Sequence, residues 1–149
     1  METWNGFRFV GAVEDDTTPE EKTDGKLVDK MKVLLANVAV LYHAVHEFHW
    51  NIKGSNFYEY HKFYDEIVSD VYDSIDPIAE NIRKLGGTTD YNMSKLIKLS
   101  TLTEPSEGVG DSSTLTENLI KLNSSLLDTL KDTFDVANKE NEQGVANFI

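Results

Sequence analysis

Apolar side chains recur every three to four residues at Leu27, Met31, Leu34, Leu35, Val38, Leu41, Tyr42, Val45 and Phe48. A 3.6-residue period held over that length fits an α-helix and no strand. Lys26 to about Asn51 is therefore expected to form one long helix, capped near Asp24. Lys53-Gly54 ends it, and Asn56 with Glu59 gives a capping-box-like restart. The second helix carries Phe57, Phe63, Tyr64, Ile67, Val71, Ile75, Ile78, Ile82 and Leu85 and stops at Gly86-Gly87, with a kink expected at Pro77. A weakly patterned stretch follows, holding a short amphipathic piece from about Met93 to Leu99. A third long helix is expected to open on a Thr114/Glu117 capping box and to run through Leu115, Leu119, Leu122, Leu126, Leu130 and Phe134 to about Lys139. A fourth element begins near Glu142. The pattern implies an all-α antiparallel bundle whose fourth helix is cut short. Residues 25–149 form that bundle domain. Residues 1–24, with Trp4, Phe7, Phe9 and Val10 ahead of an acidic stretch, are expected to be an extended arm that docks on a neighbour.

The first two helices carry the chemistry. From His61 onward, His61, Asp65, Asp76 and Glu80 fall within a stripe roughly 100° wide on one helix face. Asp65 and Asp76 are nevertheless about 16 Å apart along the axis at 1.5 Å per residue. Imidazole and carboxylate ligands stand only about 2 Å from a metal, so His61/Asp65 and Asp76/Glu80 cannot hold one ion within one chain. Each pair is half a site. Two copies of the helix crossing antiparallel about a two-fold axis near Asp70 and Val71 would bring the pairs together twice. His49, at the end of the first helix, completes the imidazole set.

Composition narrows the ion. The 149 residues include no cysteine, which removes disulfides, thiolate ligands and thiol nucleophiles together. Ligation by His and carboxylate alone suits iron better than structural zinc. Lys and Arg number 14 against 26 Asp and Glu, a net charge of −12, so nucleic acid would on average be repelled. No apolar run has membrane-spanning length and the first residues lack a signal-peptide pattern, so a cytoplasmic location is expected.

The run H49-W-N-x-x-G-x-x-F57-x-x-x-H61-x-x-x-D65, continued by D76-x-x-x-E80 and closed by L85-G-G, resembles the Dps family of mini-ferritins. That resemblance implies a ferritin-like four-helix subunit, a hollow shell of twelve subunits, and oxidation of Fe(II) between two-fold-related subunits, with hydrogen peroxide as the usual oxidant. It implies ferroxidase and metal ligands at His49, His61, Asp65, Asp76 and Glu80, with Trp50 beside them. Glu140 and Glu142 are candidates to line an iron-entry pore. Family members carry a full fourth helix where this sequence stops. DNA-binding members carry Lys/Arg-rich tails, whereas the arm here is acidic, so DNA binding is not expected.

Plainer readings exist for each feature. Asp76-Pro77 resembles a helix start, and His61/Asp65 could be an ordinary i, i+4 surface pair worth a few tenths of a kcal/mol. His43, His46 and His49 invite a three-histidine zinc reading, but successive steps of three drift about 60° around a helix and make a poor cage. The Glu-x-x-His pairing of intrasubunit di-iron bundles is absent. Phe57, Phe63 and Tyr64 read as packing rather than electron relays, and Tyr42 and Phe48 as core. The competing function classes are a non-enzymatic acidic helical interaction protein and a DNA-condensing member of the same family.

Overall fold

The computed structural model describes residues 25–149, so the expected arm and the cap at Asp24 lie outside the described residues. The chain runs α1 (Lys26–Asn51), β1 (Ile52–Lys53), α2 (Phe57–Lys84), α3 (Met93–Leu99), β2 (Gly110–Asp111), α4 (Ser112–Lys139) and α5 (Gln143–Phe148). It is an all-α fold with one minimal parallel ladder, Ile52 opposite Gly110 and Lys53 opposite Asp111. The ladder had no counterpart in the hydrophobic pattern, because two residues are too few to show a period of two.

α1 is the centre of the molecule. Its expected stripe is buried apart from half-buried Tyr42, and so are Val28, Ala36, Asn37, Ala39, Val40 and Ala44, which belong to other faces. α2 and α4 pack along it with one side each, while α3 lies across Ala36 and Ala39 through buried Leu96. Of the α2 apolar set, Tyr64, Ile78 and Ile82 are buried and Ile67, Val71, Ile75 and Leu85 partly so. Phe57 and Phe63 remain 45% and 42% exposed and are not core.

Asn37 is the one polar residue of α1 with no exposed surface. Its amide nitrogen donates to the hydroxyls of Thr101 (3.0 Å) and Thr129 (2.9 Å). Its carbonyl oxygen accepts from the Ser100 hydroxyl (2.9 Å) and the Thr101 backbone N–H (2.8 Å). Every donor and acceptor of the side chain is used, so burial carries no orphan penalty, and the segment after α3 is tied to both α1 and α4.

The helix ends correct several expectations. α1 is capped by Gly25 in extended conformation without a side-chain bond. Asn56 stands at the N-cap of α2, but its φ of −99° and ψ of 27° leave its side chain without a cap bond. α4 opens two residues before the expected box, because the Asp111 carboxylate accepts from the Thr114 N–H at 2.9 Å. The C-terminus of α2 follows expectation: Gly86, at φ +86°, donates to Arg83 O and Gly87 to Ile82 O, a Schellman pair. α4 ends the same way on Asn141 at φ +60°, with Glu142 N–H bonded to Ala137 O. Pro77 does not interrupt α2, whose helix is continuous from Phe57 to Lys84. α5 has six residues and buries Val145 and Ala146.

Replacing Asn37 with Leu should lower stability by about 2 kcal/mol or more, since Ser100, Thr101 and Thr129 lose partners in a closed interior. Urea unfolding with an unchanged midpoint would refute the network's role. The Asp111 carboxyl is held below the ordinary range, chiefly by the Thr114 backbone N–H. A depressed folded-state pKa contributes stability above the unfolded value that disappears as pH falls through the folded one. Asp111→Asn, which still caps, should show less loss on acidification; equal acid sensitivity of the two proteins would remove the assignment.

Candidate metal centre

His49 sits in the last turn of α1 and His61 in the second turn of α2, joined by the turn that holds β1 and Gly54. Gly54 takes φ +112°, a conformation most L-residues avoid, and this lets the chain reverse so that the histidines meet. Their rings stack with centroids 3.8 Å apart and planes 21° from parallel. His49 Nδ1 lies 2.8 Å from the His61 carbonyl oxygen, and His61 Nδ1 lies 2.8 Å from the His49 carbonyl oxygen.

A carbonyl oxygen can only accept, so both Nδ1 atoms carry the proton. In the neutral rings this leaves Nε2 of each histidine with a free lone pair. The backbone thus selects the tautomer whose Nε2 could ligate a metal, the arrangement that outer-sphere hydrogen bonds give metal-ligating histidines generally. Asp65 Oδ1 stands 4.0 Å from His49 Nε2, too far for a hydrogen bond, with its side chain 69% exposed. His49, stacked on His61, thus has a carboxylate near its free nitrogen.

Tyr64 fixes the helix behind them. It has no exposed surface, packs edge-on against Phe48 at 6.0 Å and pairs its hydroxyl with Thr116 Oγ1 at 3.2 Å. Burial raises its pKa, so the phenol stays protonated and able to donate. This tie between α2 and α4 escapes any reading of local pattern, because Thr116 is 52 residues away.

Asp76 and Glu80 lie elsewhere on α2, both exposed. Asp76 borders a surface cleft of about 660 Å³ with Tyr72, Ile75, Pro77, Thr89 and Tyr91. Glu80 Oε2 is 3.9 Å from Lys84 Nζ in an exposed i, i+4 pair, a contact weak enough for a cation to replace. Among the described residues no group of three or more His, Asp or Glu is placed to hold one ion. The two pairs therefore stay apart within the chain, and His43, His46 and His49 do not form a cage. Trp50 is 66% exposed and lies against His46 with centroids 4.4 Å apart and planes tilted by 32°, His46 in turn being 5.9 Å from His49. Glu140 and Glu142 are exposed at the turn between α4 and α5.

Comparison with known proteins matches residues 28–149 to the family model of the ferritin-like domain. An uncharacterised protein of Haemophilus influenzae is 33% identical over 82% of this chain and 76% of its own length. A DNA protection during starvation protein of Helicobacter pylori is 31% identical over 83% of this chain and 85% of its own. The crystal structure of a Dps protein from Vibrio cholerae, described as one of the ferritin-like diiron-carboxylate proteins, superposes with a TM-score of 0.78. Its sequence identity is 30%, over 82% of this chain and 76% of that one.

At pH above the histidine range, 15N-detected NMR should find both His49 and His61 protonated at Nδ1. An Nε2–H tautomer at either ring would contradict the reciprocal bonds.

Proposed function

This chain belongs to the Dps family of ferritin-like proteins, and from that premise we propose that it binds Fe(II) between two-fold-related copies, oxidises it and stores the ferric product. Iron is here substrate and cargo. His49, His61 and Asp65 of one copy supply one half of each site, and Asp76 and Glu80 of its mate supply the other. The observation that carries the reading is the stacked pair of imidazoles whose Nδ1 atoms are engaged by backbone carbonyls, with Asp65 4.0 Å from His49 Nε2, while no group of three or more ligand-type residues among the described residues is placed to hold an ion.

The donor set fits the chemistry. Carboxylates are hard anionic donors that favour Fe(III) over Fe(II), and imidazole suits either state. Hydrogen peroxide is the oxidant of this reading: two Fe(II) ions give one electron each, the O–O bond breaks, and two protons complete two waters. Removing iron and peroxide together suppresses hydroxyl-radical formation. A twelve-subunit shell built on two-fold dimers is the assembly this function requires, and a cytoplasmic location accords with it. No helix among the described residues is long and apolar enough to cross a membrane. Glu140 and Glu142 are the candidate residues of an iron-entry pore.

Relatives bear names that speak of DNA protection, which keeps DNA condensation as the second reading. The net charge of −12 opposes it. At physiological salt the protein should not retain duplex DNA in a gel-shift assay; retention would favour the second reading.

Native mass spectrometry with and without anaerobic Fe(II) tests the first. A twelve-subunit mass that gains at least one iron per subunit is expected, while a monomer or dimer that gains none would overturn the proposal and leave an acidic helical interaction protein. Asp65→Ala and Glu80→Ala should each abolish fast Fe(II) oxidation, and an unchanged stopped-flow rate for either would remove that residue from the site.

A further inference from the structure

Phe57 is the first residue of α2, 45% exposed, and contributes little to the core. One turn on, its ring lies nearly parallel to that of His61, with centroids 5.1 Å apart and planes 18° from parallel. His61 is itself stacked on His49 at 3.8 Å. The three rings thus form a stack with His61 in the middle, and its outermost member has no other evident task.

The reciprocal backbone bonds fix where each Nδ1 points but leave freedom to the ring. A single hydrogen bond lets an imidazole rock about the N···O line, and the terminal torsion of histidine is broad. Parallel faces on both sides of His61 remove that freedom. A second effect is electrostatic. A divalent cation on Nε2 draws electron density from the imidazole and leaves the ring more positive. The negative π-face of Phe57 favours that polarised ring, as it favours cations in general, whereas an aliphatic side chain has no such face.

We propose that Phe57 is a positioning residue for the imidazole half-site, clamping His61 against His49 and holding its Nε2 in the orientation a divalent cation needs. The inference rests on the metal-binding reading above and adds to it a residue that ligates nothing. Stacking, rather than bulk, is the property at work. Phe57→Tyr should therefore preserve function and Phe57→Leu should not.

The test uses the full chain, with Co(II) titrated under anaerobic conditions as a spectroscopic stand-in for Fe(II). Circular dichroism and thermal unfolding serve as controls. Phe57→Leu should weaken Co(II) binding about tenfold, the lower end of what loss of an outer-sphere partner costs. Phe57→Tyr should bind within a factor of two of the unaltered protein, with helicity retained in both. Phe57→Gln serves as the non-aromatic variant if the Leu protein unfolds. Equal affinity in the Leu and unaltered proteins would overturn the proposal, and so would equal weakening in the Tyr and Leu proteins. The metal-free protein gives an independent readout: NMR relaxation of the His61 ring should report restricted ring motion in the unaltered and Tyr proteins and faster motion in the Leu protein, the Nδ1–H tautomer being set by the His49 carbonyl in all three. If the unaltered protein takes up no Co(II), the metal-binding reading falls. In that event unchanged His61 ring motion in the Leu protein overturns the clamp as well, and increased motion sustains it.

Discussion

Everything in this molecule is arranged around the burial of α1 on more than one side. A helix covered by α2 along one face, α4 along another and α3 across a third cannot slide or rotate without opening several interfaces at once. Asn37 sharpens the constraint, because four hydrogen bonds with fixed directions accept only one register of the following segment and of α4. The last turn of that helix carries His49. The precision with which His49 meets His61 is thus inherited from a core whose centre lies three turns away.

The candidate site uses that rigidity sparingly. Only two backbone carbonyls and one turn are needed to present two Nε2 lone pairs, and the carboxylates remain exposed. Under the proposed reading, a half-site of this kind would hold an ion weakly by itself, and that suits a centre completed by a second copy. Ligands left at the surface also keep coordination positions open to an oxidant, which a closed four-ligand cage would not.

The parts legible in the sequence are those where a local rule acts alone. The bounds of α1 and α3, the Gly86-Gly87 stop and the separation of Asp65 from Asp76 follow from periodicity, glycine conformation and helical rise. The cap of α4 was misplaced because Thr114/Glu117 also satisfies a capping box. The fold prefers Asp111, which the β1–β2 ladder holds in extended conformation three positions before Thr114. Phe57 and Phe63 read as core by hydrophobicity, yet α2 turns them outward, because the side of the helix bearing Tyr64 and Val68 is the one against α1.

By itself the sequence determined the helices, the candidate ligand types and the inability of His61/Asp65 and Asp76/Glu80 on one helix to share an ion, since each depends only on residue identity and on distance along a helix axis. The tertiary structure alone decided which imidazole nitrogen is free, that the ring of His49 lies on that of His61, and that Asn37 is buried with every bond made. Those features depend on residues twelve to more than ninety positions apart meeting within a few ångströms. Long-range closeness of that kind leaves no periodic trace in the chain.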